Sequence, residues 1–473
     1  MKHIITILFV GLIFTSCSKV LDKKPEAVFS PANFYKTSAD GIAAVSAVYS
    51  PLFSPNLYNQ VMWVFQDQST DDAEWGNGRN TANQAKNDLD KYTFTPSTVY
   101  FYALWTTCYQ AINRANTAID NIPGITMDAT LKSRLIGEAA FLRAFYYFTL
   151  VRLYGKVPLI TKATKDLSNL NVPRSPVDSV YTQIIKDFTV AENSLPLSYS
   201  GTDKGRATKG AAKAFVASVY LTLQQWDKAS AKAKEVIDLE SQGIYGLWTN
   251  YSDAFLVANK NGKESIFEIQ ALGGGFGQGS FMQGYMRAPY DRGGYGDDPP
   301  TKNIYDSYST SDKRRDVNLK LFTSPPAPSS ILFPCYVGKY QDPGATANGE
   351  GNNNYPIFRY AEILLIYAEA LNEQGSNNPD AYAAINRIRN RAGLNDLTPN
   401  LSQGQFRDSV YLERRLELAF EGHRRYDLIR TGKLAEAVNA QNPSIIIKPY
   451  QVLFPIPQSE RDANHMLDQN PGY

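Results

Sequence analysis

One stretch limits the fold more than any other: residues 136–160, IGEAAFLRAFYYFTLVRLYGKVPLI. Leu135, Ala139, Leu142, Tyr146, Thr149 and Leu153 recur at alternating intervals of four and three, which lays them along one face of an α-helix. Phe141, Phe145 and Phe148 form a second stripe, about 100° around the axis. Ala140, Ala144, Tyr147 and Val151 fill much of the remainder. A helix apolar on nearly every side is buried among other elements. Gly155 stands where a helix-ending residue of positive φ belongs, and Pro158 follows. The stretch therefore implies a mostly α scaffold around a central helix that starts near Ala129, with Arg143 and Arg152 in need of partners.

The rest of the chain supplies neighbours for that helix. Helices are expected over 40–54, closing at Pro55, over 100–122, closing at Pro123, and over 177–195. Residues 205–240 read as a helical hairpin, with Thr208 as N-cap and Trp226-Asp227 at the turn. A second hairpin runs from Arg359 to Gly375 and from Asn378-Pro379 to Gly393, and residues 412–432 continue the helical pattern. Paired helices with small residues at closest approach are the unit of tetratricopeptide-like folds. SIFEIQAL, 265–272, alternates like a strand. Two long stretches carry no helical period. One is 67–99, beginning DQSTDDAEWGNGRNTANQAKN; the other is 241–356, containing GGGFGQGSFMQGYMRAPYDRGGYGDDPPT. Long irregular insertions in a compact protein are usually functional.

Residues 1–16 read as a signal peptide: a basic start at Lys2 and His3, then an apolar run over 4–14 too short to span a bilayer. Phe14-Thr15-Ser16-Cys17 is a lipobox pattern with Phe14 in place of the usual Leu, so Cys17 is the expected lipidation site. The alternative is an ordinary secretion signal. Cys108 and Cys335 are read as two buried free thiols rather than a disulfide.

A net charge of +2 provides no field to recruit nucleic acid. Beyond the signal peptide the chain has only His423 and His465, and it lacks HExxH, GxSxG and a cysteine ligand cluster, so zinc hydrolysis and serine-type acyl transfer lack their parts. His423 is read as a structural residue on a helix. GGGFGQG fits G-x-G-x-x-G in no register, and no cofactor is expected. Glycoside hydrolysis needs only two carboxylates, and Asp67, Asp71, Asp72 and Glu74 lie near Trp75, as Asp297 and Asp298 lie near Tyr295. A calcium site is another reading of the first cluster. The aromatic content, 12% with 30 Tyr, favours a binding module. A sugar is held by ring platforms and polar edges on loops set by a rigid scaffold. Trp75, Asn77, Arg79 and Asn80 offer that mixture in one loop; Phe276, Tyr285, Tyr290, Arg292 and Tyr295 offer it in the other. The expected ligand contacts are Trp75, Arg79, Tyr290 and Tyr295, with Asn77 and Asp72 as polar partners.

GEAAFLRAFYYFTLVRLYGKVPLI resembles the signature helix of the SusD/RagB family, surface lipoproteins of Bacteroidetes that capture nutrients, mostly glycans, beside a TonB-dependent transporter. SKVLDKKPEAVFS after Cys17, WTTCYQAINRANTAID, residues 412–432 and the ending LFPIPQSERDANHMLDQNPGY resemble the family as well. The likeness reaches nearly all of the chain after Cys17. It implies a single domain, 17–473, whose helical scaffold at about 40–66, 100–240 and 359–432 carries ligand-binding regions at about 67–99 and 241–356. TDDAEWGNGR, 70–79, loosely resembles the segment that carries a binding arginine in the family. The resemblance implies a lipid-anchored, surface-exposed outer-membrane protein that passes an oligosaccharide to a SusC-like transporter and does no chemistry. An oligopeptide ligand is the alternative, and a glycoside hydrolase the more distant one.

Overall fold

The computed structural model describes residues 34–75, 83–164, 170–286, 294–321, 333–345 and 347–473. Cys17 and the signal segment lie outside them, as do Asn77, Arg79 and Tyr290. The first helices are α1 (Ser38–Tyr49), α2 (Gln84–Lys91), α3 (Val99–Asn121), α4 (Ala129–Tyr154), α5 (Val177–Ser194), α6 (Lys209–Thr222) and α7 (Trp226–Ile237). Strand β1 (Ser265–Ile269), short helix α8 (Met282–Met286), strands β2 (Leu319–Leu321) and β3 (Cys335–Val337), and β4 (Tyr355–Arg359) follow. Helices α9 (Tyr360–Gln374), α10 (Pro379–Arg391), α11 (Gln403–Glu417) and α12 (Arg424–Arg430) close the scaffold.

Helix α4 is the axis. Asp128 caps it by accepting from the Leu131 N–H at 2.8 Å. Gly155 ends it at φ +72°, and a Cβ there would meet Leu453 Cδ1 at 2.8 Å. From Leu135 to Tyr154 every residue but Ile136 and Arg152 is buried. Phe141 packs edge-on to Phe188, Phe215 and Phe267 at 5.4, 5.4 and 5.1 Å between centroids. Arg143 grips Asp187 with two hydrogen bonds of 2.8 and 2.7 Å. Arg152 lies between the rings of Phe148 and Tyr426, 3.7 and 3.6 Å from their centroids.

Helices pack in succession: α3 and α5 on α4, α6 on α5, α7 on α6, α9 on α7, and α10 and α11 on α9. These are the helical hairpins expected from sequence. Thr208 caps α6 by accepting from Ala211 N–H at 3.1 Å. One apolar core runs through them from Val48 to Leu467. The β-structure is small: β1 pairs antiparallel with β4, and β2 with β3. Cys108 and Cys335 are both buried.

Two departures from the sequence reading matter. The 67–99 region contains helix α2, capped by Asn83 and stopped by Tyr92 at φ +57°. Its sequence is too polar to show a stripe; Lys86, Leu89 and Asp90 turn inward. The helical run at 412–432 is broken between α11 and α12, with Phe420 at φ +60° and Gly422 at φ +78°. The freed carbonyls are taken up: Lys339 Nζ donates to Ala419 O at 2.7 Å, and Tyr340 Oη to Phe420 O at 2.7 Å. His423 is therefore the N-cap residue of α12 rather than a mid-helix residue. Burial lowers its pKa, partly countered by Glu362.

Candidate functional site

The two irregular regions meet. Glu74 N–H donates to Pro299 O at 3.1 Å, and Thr301 N–H donates to Asp72 O at 2.9 Å. Backbone pairing of 72–74 with 299–301 thus brings the loop after residue 67 against the loop before residue 300. Helix α2 lies under the same junction through Lys86, whose Nζ pairs with Asp297 at 2.7 Å.

Lys86 is 2% exposed and sits at the centre of an aromatic nest. Its Nζ is 4.6 Å from the ring centroids of both Trp63 and Trp75, and 5.5 Å from that of Tyr285. Burial lowers the Lys86 pKa, and Asp297 works the other way. Above the nest, Phe281, Tyr285 and Tyr295 form a ramp with centroid separations of 6.0 and 5.5 Å and interplanar angles of 33° and 32°. The ramp is held from behind by Tyr295 N–H donating to Gly284 O at 2.8 Å and Asp297 N–H to Tyr285 O at 2.6 Å. Burial, with Asp297, Tyr295 and Tyr100 nearby, pushes Tyr285 up to about 12. Asn83 donates to Tyr100 Oη at 2.8 Å. Faces of rings lie beside a carboxylate, a phenol and an amide, which suits a ligand with apolar faces and polar edges.

Tyr295 is 52% exposed, as an expected contact should be. Trp75 is at the site but only 5% exposed, so its ring supports Lys86 from within instead of offering an open platform. Asp72 is 1% exposed and paired with Arg415 at 2.7 Å; it braces the loop base. Phe276 stands at the tip of a glycine-rich hairpin, 72% exposed. Gly279 there serves backbone packing, since a Cβ on it would lie 2.0 Å from Gly349 O, whereas Gly274, Gly275 and Gly277 take positive φ. Lys86, Tyr100 and Phe281 were not singled out in the sequence. Tyr100 opens a helix and Lys86 sits on a short polar one, so neither carries a local signal; Phe281 lies in an aromatic-rich loop that did.

Acidic residues weighed for catalysis are engaged or enclosed. Asp71 binds Arg424 at 2.7 Å. Asp67 and Asp298 are each 1% exposed, and burial with Asp298 and Asp72 close by holds Asp67 well above the carboxylate range. Among the described residues, no group of three or more His, Cys, Asp or Glu side chains is arranged to hold a metal ion.

Known proteins share this architecture. Residues 333–473 match the SusD family model, and residues 21–221 match one described as starch-binding, associating with outer membrane. A laminarin-binding SusD-like protein of known structure superposes with a TM-score of 0.80 at 28% identity, covering 93% of this chain and 100% of the other. Surface glycan-binding protein A from Bacteroides thetaiotaomicron, solved in complex with laminarihexaose, gives 0.78 at 26% identity, covering 92% and 100%. SusD-like protein P2 of Formosa agariphila is 30% identical over the full length of both chains. With its helical scaffold matched in structure and its sequence aligned end to end, the chain belongs to the SusD family.

Proposed function

We propose that this protein binds an oligosaccharide on the ramp of Phe281, Tyr285 and Tyr295 and delivers it to a TonB-dependent transporter of the outer membrane, catalysing nothing itself. The ramp carries the reading: three successive half-buried or exposed rings present their faces where the two loop regions join. Sugar C–H faces stack on such rings while hydroxyls reach Asp297, Tyr100 and Asn83. The laminarin and laminarihexaose named for two structural neighbours support a glycan ligand. Asn77, Arg79 and Tyr290 complete the contacts on sequence grounds, and Trp75 acts from beneath.

A hydrolase would need two carboxylates presented across a bond. Asp71, Asp72 and Asp297 are instead committed to Arg424, Arg415 and Lys86. No helix of the described residues is long and apolar enough to cross a membrane. Lipidation of Cys17 would hold the protein at the outer membrane beside the transporter.

Replacing Tyr285 and Tyr295 together by Ala tests the site. Two stacking hot spots at about 2 kcal/mol each weaken laminarihexaose, or the best polysaccharide of a binding screen, at least about a hundredfold. Native affinity in calorimetry would remove the ramp from the site, and preferential binding of a peptide panel would replace the ligand class. Co-purification of a large β-barrel from gently solubilised outer membranes tests delivery; recovery of the protein alone across several detergents would count against it.

A further inference from the structure

Next to the ramp lies a groove of about 830 Å3, walled by α3, by the turn after α1 and by the segment leaving β1. Its described lining includes Arg114, Lys204 and Lys260 and no carboxylate residue. By contrast, Arg134, Arg143, Arg206, Arg314, Arg359 and Arg391 each sit within ion-pair distance of an acid. Arg114 instead donates to Ala47 O at 3.0 Å, and Lys260 donates to Ala271 O at 3.0 Å. Lys204 is exposed, with no carboxylate in salt-bridge range among the described residues. Gln110, Gln270 and Gln278 add amides to the same walls.

Helix α3 runs from the ramp to the groove. Tyr100, Thr107, Gln110 and Arg114 are spaced seven, three and four residues apart, which puts them on one face of α3. Tyr100 is at the ramp, and the other three line the groove. The hairpin closed by Leu272 N–H donating to Gln278 O at 2.8 Å separates the two, and Phe281 follows it by three residues. A chain of sugar units leaving the ramp along α3 would enter a trough of amides with Arg114 and Lys204, while Lys260 lies near the buried Glu268.

We infer that this groove is a second subsite that takes an anionic segment of the glycan, a uronate or a sulfate ester. The inference rests on the glycan-binding reading above. An arginine fork matches the planar or tripodal oxygens of such groups, and lysine adds a point charge. Arg114 and Lys204, with no carboxylate in ion-pair range among the described residues, raise the local concentration of anions. Amides satisfy the remaining hydroxyls.

The test uses the full chain in detergent and three hexasaccharides: neutral laminarihexaose, a hexauronate and a sulfated hexasaccharide. At low ionic strength an acidic probe binds at least about tenfold tighter than laminarihexaose. The advantage disappears toward about 1 M salt, where screening is nearly complete. Arg114→Gln with Lys204→Gln brings the acidic probe down to the neutral one and leaves laminarihexaose unchanged, which also reports correct folding. Comparing the uronate and sulfate arms identifies the source of the charge. Laminarihexaose bound and lost in the Tyr285→Ala variant, with no acidic preference or with one that survives the double substitution, overturns the groove and leaves the ramp standing. Failure of all three probes to bind overturns both.

Discussion

Around α4, Phe141 and Phe145 meet Phe188, Phe215 and Phe267 edge to face, within about one ring's width of each other. Around the break between α11 and α12, fully enclosed Arg314 and Arg359 meet Asp312, Glu413, Glu417, Glu264 and Glu421. Both regions are buried, yet they are specified differently. Ring packing is only weakly directional and mainly follows volume, so many sequences of the right pattern would serve. The ionic region is directional: Arg359 Nη1 donates to Glu264 at 2.6 Å and Glu417 at 3.0 Å, tying together segments separated by 95 and 58 positions. It holds β4, α10 and the loop before β1 in one register, and it satisfies a helix break that ring packing alone would leave with bare carbonyls.

The contrast is broken most directly at Arg359. Arg359→Met removes the cation shared by Glu264, Glu417 and Glu421, leaving them to Arg391, Arg314 and Lys339 in a buried site, and the expected cost is about 3–5 kcal/mol, the range for removing one partner of a buried pair. Chemical denaturation of the variant measures it. If the loss is smaller than that of Phe145→Ala, the ionic cluster is not what holds this region. Phe145→Ala in the ring-packed region should cost about 3–4 kcal/mol through cavity formation, with ligand affinity of the folded fraction unchanged. Trp75→Ala sharpens the assignment of that residue. Its burial against Lys86 predicts a loss of about 3 kcal/mol, where an open platform would leave the melting temperature untouched.

Acid should act on the ionic region first. Burial opposes the charge on Glu417, but Arg391, Arg359 and Arg314 bring its pKa down to about 2 from an ordinary 4.5. A group whose pKa is lower in the folded state contributes stability that is present above about 4.5 and lost as pH falls toward 2. Urea midpoints compared at about pH 6 and about pH 3 should fall for the native protein. Glu417→Gln should be less stable at the higher pH and less pH-dependent; an unchanged slope would exclude Glu417 as a major contributor. The smallest expected effect on stability is at Tyr295→Ala, within about 0.5 kcal/mol, because a half-exposed ring packs on one side only. Its effect belongs to affinity, and a large drop in melting temperature would recast the ramp as core.

The helical scaffold was readable because its signals are local. The 4-3 spacing from Leu135 to Leu153, Thr208 before α6 and Gly155 after α4 each act within a few residues of themselves. The candidate site was readable only as composition. Trp75 and Tyr295 stood out as loop aromatics, but which face each ring shows depends on Lys86, a residue of a polar helix without a visible stripe. Asp72 looked like a ligand contact because an acid beside a Trp in a loop suggests one; its partner, Arg415, lies 343 positions away.

The sequence by itself determined that this chain builds an α-helical scaffold around α4, that its two irregular regions carry the aromatics, and which family it resembles. Those properties are written in periodicity, capping and motif, whose physical range is a turn or two of helix. Tertiary structure alone decided that Lys86 lies under Trp75 and Tyr285, that a helix breaks at Phe420 to feed Lys339 and Tyr340, and that Arg114 and Lys204 face a groove without acids. Each of those depends on which distant group arrives opposite a side chain. Charge and hydrogen-bond pairing act across space rather than along the chain, so no local pattern records them.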